Sequence, residues 1–190
     1  MKKPIGLTLA FVLILGVLGA CTTETRDNQP LQTVASIDLQ RYLGRWYEIA
    51  KYPMWFQRKC ISNTSAEYKL TVDNNVTVIT LCKREDGGFE KAEGIARQIG
   101  NVDSPKLEVR FAPAWLSIFP FVWGDYWVID IDKDYSLVAV SEPRQEYLWI
   151  LSRKPTVEVE AYQALIKRLE AKGFDTSKLE RTSQPASLGK

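Results

Sequence analysis

The chain has 190 residues, enough for one domain with its own core and short appendages. Hydrophobic residues at 45% and charged residues at 25% exclude disorder for the body, and 11% aromatic content favours strands or an aromatic-lined pocket. With no histidine, the commonest general base, the commonest metal ligand and every Ser-His or Cys-His nucleophile are absent, while 25 basic against 23 acidic residues offer no field for nucleic acid. We therefore expect no enzyme, no catalytic residue, no metal and no cofactor.

Lys2 and Lys3 precede an uncharged run over residues 5–20 that ends in Gly19 and Ala20, just before Cys21. This is the pattern of a signal peptide over 1–20, shorter than the ~20 residues a spanning helix needs. Its removal leaves 23 basic and 23 acidic residues. Leu18-Gly19-Ala20-Cys21 resembles the bacterial lipobox. That resemblance implies lipidation of Cys21, cleavage before it and acylation of the new amino group, and Thr22 in place of Asp suggests sorting to the outer membrane. Residues 21–36 then read as a lipidated terminus and flexible tether.

The body reads as strands. Ala66, Tyr68, Leu70 and Val72 alternate with polar residues, Asp73-Asn74-Asn75 turns the chain, and a β-branched run covers 76–82. Further strands are expected over 89–99, 107–111, 123–131, 136–141 and 147–152, with 45–52 in front. About eight short strands and no helix between them indicate an antiparallel sandwich or barrel, and periodicity does not choose between these. After Pro155, Val159, Tyr162, Leu165, Ile166 and Leu169 recur at helical spacing between Thr156, an N-cap candidate, and Gly173. One amphipathic helix should pack outside the sheet, followed by a disordered tail over 182–190.

Gly44-Arg45-Trp46, Asp134-Tyr135 after the sixth strand and Leu151-Ser152-Arg153 at the end of the eighth resemble, in order and spacing, the three motifs of lipocalins. The longer strings over 44–50 and 147–153 are similar to the bacterial lipocalin and apolipoprotein D branch. The resemblance implies an all-β, eight-stranded antiparallel up-and-down barrel over 37–181 with the C-terminal helix outside. It also implies a floor built from Gly44, Trp46 and Arg153, with the guanidinium over the indole. Such an interior holds one small ligand. Trp149 shares the strand parity of Arg153 and is the leading ligand-binding residue, with Leu151, Tyr68, Phe111 and Trp127 as further candidates.

The loop between Phe111 and Trp127 carries Trp115, Ile118, Phe119 and Phe121. It is either a lip facing the membrane or a satellite of the core. Asp130, Asp132 and Asp134 imitate the start of a calcium loop, but Tyr135 stands where Gly is needed and Ser141 where Glu is needed. Cys60 and Cys82 form an even pair that an oxidising periplasm would bond. The resulting expectation is a carrier of fatty acids or lysophospholipids, lipid-anchored to the outer membrane on its periplasmic side, with the bilayer and the ligand as partners. A binder of haem or pigment and a docking envelope lipoprotein are the alternatives, and monomer and homodimer both stay open.

Overall fold

The computed structural model describes residues 30–184. The expected signal peptide, the acylation at Cys21, the first part of the tether and the tail after Gln184 lie outside the described residues.

Eight strands form in chain order: β1 Gly44–Lys51, β2 Cys60–Leu70, β3 Val76–Arg84, β4 Phe89–Gln98, β5 Lys106–Arg110, β6 Gly124–Ile131, β7 Leu137–Ser141 and β8 Leu148–Ser152. Each pairs antiparallel with the next, and β1 pairs with both β2 and β8, so the sheet closes on itself as an up-and-down barrel.

Residues opposite one another on neighbouring strands share a face, so the register sorts the core into two parts. Trp46, Tyr68, Val76, Val78, Ala96, Leu107, Val128, Val138, Val140 and Leu151 point into the barrel. Ile49, Ile129, Ala139, Leu148 and Ile150 point outward, where Leu165 and Leu169 of helix α2, Val159–Ala171, cover them. A bulge in β6 turns both Ile129 and Asp130 outward. Asp130 then takes a bidentate pair from Arg168 of α2, at 2.7 and 2.9 Å, which pins the helix to the wall.

Four expectations change. The helix is capped by Glu158, with no side-chain cap bond, rather than by Thr156, and Val159 is 68% exposed. A four-residue helix α1, Leu39–Tyr42, precedes β1 and is capped by the Asp38 carboxylate. The last part of the expected tether is docked: Leu31 is buried in the outer core and the Val34 N–H donates to Val128 O at 3.1 Å. Three residues placed in the disordered tail are also held. After β9, Glu180–Arg181, which pairs with β1, Thr182 N–H donates to Ile49 O at 3.0 Å, and Asn63 N–H donates to Ser183 O at 2.8 Å. Gln184 Nε2 bridges Glu48 O and Thr64 O, both at 2.7 Å. The strap formed by residues 180–184 thus fills the seam where β1 and β2 diverge. Composition marks both segments as polar, but backbone hydrogen bonds need no particular side chain.

Candidate functional site

The closed end is organised by Arg153. Its Cζ lies 3.9 Å from the centroid of the Trp46 ring. The guanidinium donates to Tyr135 O at 3.2 Å, Arg45 O at 2.9 Å, Arg41 O at 2.6 Å and Tyr42 O at 3.1 Å. Trp46 is fully buried and its Nε1 donates to Tyr42 O at 2.8 Å. Gly44 adopts φ +91°, and a Cβ there would meet Arg153 Nη1 at 3.4 Å, so glycine suits both the backbone and the space. The Tyr135 hydroxyl accepts from the Asp38 N–H at 2.7 Å, closing the floor with α1. The Asp-rich stretch is spent locally, because Asp132 accepts from the Ser136 and Leu137 N–H groups at 2.6 and 3.1 Å and Asp130 holds Arg168. Among the described residues no cluster of acidic or sulfur side chains could hold a metal.

Above the floor the inward positions of one wall are small: Ala66 on β2 faces Thr80 on β3, which faces Ala92 on β4, with Gly94 and Ala96 below. A Cβ on Gly94 would come within 2.8 Å of the Phe111 ring and 2.7 Å of Arg110 O, so only glycine lets β5 approach here. Ala66, Thr80, Ala92, Val109 and Tyr126 take inward register positions yet keep part of their surface exposed. Trp149 and Leu151 line the opposite wall. Tyr68 also faces inward, and Phe111, 47% exposed, stands near the mouth. Trp127 does not line the lumen. It pairs with Lys106 on the outer face, with the ammonium 4.1 Å from its ring centroid, and packs on the core beneath α2.

Sequence reasoning named Tyr68 and missed the polar groups around it. The hydroxyls of Tyr42 and Tyr68 both hydrogen-bond the Tyr126 hydroxyl, at 2.7 and 2.8 Å. Burial pushes all three phenols up, Tyr68 to about 12 and the others well above the usual value. Nearer the mouth the Trp149 Nε1 donates to Gln57 Oε1 at 3.1 Å, and Gln57 Nε2 donates to the buried Glu48 carboxylate at 3.0 Å. Burial raises the Glu48 carboxyl above its ordinary value, against the pull of bonds from Thr182 and Gln57 and of the Lys51 charge. Tyr126 shares the strand parity of Val128, but Trp127 and Ile129 make the other face of β6 equally apolar, so no signal in the sequence placed it inside.

The mouth exposes several large apolar side chains. Trp115, Ile118 and Phe121 are 73, 78 and 81% exposed, Phe119 is less so, and Trp55 and Phe56 stand exposed on the loop after β1. The base of the long loop folds back: Trp123 lies between Arg97, 4.0 Å from its ring, and Arg110, at 5.2 Å. The Cys60–Cys82 disulfide ties β2 to β3 at this end, with the Cα atoms 5.4 Å apart.

The model of the Lipocalin-like domain matches residues 37–184. Temperature-induced lipocalin-1 of Arabidopsis thaliana is 39% identical over 161 residues, 83% of this chain and 85% of that protein. Outer membrane lipoprotein Blc of Vibrio cholerae is 35% identical over 179 residues, 93% of this chain and 96% of that protein. Insecticyanin from the tobacco hornworm Manduca sexta superposes with a TM-score of 0.63 at 20% identity, covering 80% of this chain and 84% of that one, a likeness of fold. The barrel, its Trp46–Arg153 floor and a family match across nearly all the described residues lead to one conclusion: the chain is a member of the lipocalin family.

Proposed function

We propose that this lipocalin binds single-chain lipids, fatty acids or lysophospholipids, and carries or buffers them at the bacterial outer membrane, anchored through an acylated Cys21 on the periplasmic side. The observation that carries this reading is the row of small inward-facing residues, Ala66, Thr80, Ala92, Gly94 and Ala96, inside a closed barrel whose upper rim exposes apolar side chains. Placing about a dozen methylenes there gains on the order of 10 kcal/mol relative to water before ordering costs. A bilayer offers nearly the same gain, so the protein competes for stray or damaged single chains and not for lipids already packed in a membrane. Trp115, Ile118, Phe119 and Phe121 form the lip that touches the bilayer during exchange. The name of the Vibrio cholerae relative, an outer membrane lipoprotein, supports the location.

Native mass spectrometry with solvent extraction tests this on the chain from Thr22 onward, purified without added lipid. A fatty acid or lysophospholipid at about one per chain supports the carrier. A lipid-free protein whose tryptophan fluorescence also ignores added lipid overturns it.

A further inference from the structure

The three tyrosines at the bottom of the lumen share more hydrogen-bond donors than they can use. Tyr42, Tyr126 and Tyr68 form a chain of three hydroxyl oxygens joined by two bonds, so one of the three O–H hydrogens has no acceptor within it. Tyr42 and Tyr68 are buried, whereas Tyr126, at an inward register position on β6, is half-buried. Directly beneath lies Arg153, whose hydrogen bonds all go to backbone carbonyls and which has no carboxylate partner among the described residues. Its field acts on both Tyr42 and Tyr68. An unused donor above an uncompensated cation at the dead end of an apolar tube is a site for a negatively charged oxygen.

We infer that the Tyr42–Tyr126–Tyr68 cluster is a subsite for the carboxylate of a free fatty acid, which enters the barrel head first and leaves its methyl end at the aromatic mouth. This rests on the carrier reading above and sharpens it, because hydroxyl donors suit a carboxylate and a head-first entry selects a free fatty acid over a lysophospholipid. Burial raises all three phenols, so they are protonated donors at neutral pH. Arg58 and Lys59, exposed at the mouth, are where a phosphate would sit if lipids instead entered tail first.

The test titrates the chain from Thr22 onward, which contains the barrel, its helix and its closing strap, with palmitate, methyl palmitate and a palmitoyl lysophospholipid. In the unsubstituted protein palmitate should bind at least tenfold more tightly than either. Tyr126→Phe should weaken palmitate about tenfold and leave the ester within twofold. Carboxyl-labelled palmitate followed by ¹³C NMR in the unsubstituted protein is the check independent of any variant: its carboxyl should titrate below that of palmitate bound to detergent micelles. Equal weakening of palmitate and ester, a carboxyl that titrates as in micelles, or tighter binding of the lysophospholipid with loss on Arg58→Ala overturns the head-first subsite while leaving the carrier intact. Failure of all three lipids to bind overturns both.

Discussion

Replacing Arg153 by lysine keeps the charge and removes the fork, and the floor geometry sets the cost. Three guanidinium nitrogens reach four carbonyls, those of Arg41, Tyr42, Arg45 and Tyr135. A single ammonium cannot span them, and keeping two bonds forfeits two others from a charged donor, about 1.5 kcal/mol each. Loss of the stacked plane over Trp46 adds about 1 kcal/mol. Discounting this total of about 4 kcal/mol for the solvent-facing side of the guanidinium leaves roughly 3 kcal/mol. For a domain of this size that is a fall in Tm of roughly 6–12 °C. Circular dichroism melts of the oxidised Arg153→Lys protein, with calorimetry to confirm a single transition, measure it. A variant melting within about 2 °C of its parent would refute the view that directional carbonyl bonds, rather than charge alone, hold the closed end together.

Further predictions concern the lumen, the seam and the mouth. Trp149→Ala should weaken palmitate binding about tenfold, roughly 1.4 kcal/mol, whereas Trp127→Ala should cost stability and leave affinity unchanged. Fluorescent-lipid displacement separates the two. Glu48 has a folded pKa above its unfolded value of 4.5, so its contribution is fully present below that pH and is lost as pH rises through the raised value. Urea unfolding from pH 4.5 upward should therefore show the parent losing ground against Glu48→Gln, and parallel curves would contradict this. Reducing Cys60–Cys82, 22 residues apart in sequence, should lower stability by about 3 kcal/mol in the chain-entropy model, read as a shift in urea midpoint. Phe121→Asp should reduce cosedimentation of the unacylated domain with anionic vesicles without moving its Tm, since the side chain is exposed.

The strands were legible because alternating runs are punctuated by turns such as Asp73-Asn74-Asn75, which joins sequential neighbours in the barrel. The sense of β6 was not. Tyr126 and Val128 face the lumen while Trp127 and Ile129 face the helix-covered wall, so both sides are apolar and alternation carries no sign. The bulge that follows breaks the parity as well. Glu48 and Lys51 drew no expectation, and the strap that brings Thr182 and Glu180 to them, with Gln57 on Glu48, lies far from β1 in sequence or outside any expected element. The Tyr42 contribution lay outside any expected element, in a four-residue helix too short to show periodicity. The pairing of Arg153 with Trp46, by contrast, came from family resemblance and not from any pattern in the residues themselves.

The strap also bears on how such a chain is made. Among the described residues β1 is the first strand to emerge during synthesis, and its partners β8 and β9 are the last, so residues 44–51 wait for residues 148–181 before the ring can shut. Until then one rim of β1 offers unpaired backbone groups to any passing strand. The final knot is Gln184, which ties Glu48 to Thr64 across the gap. A product that stops before residue 180 carries all eight barrel strands and yet lacks every one of these seam bonds.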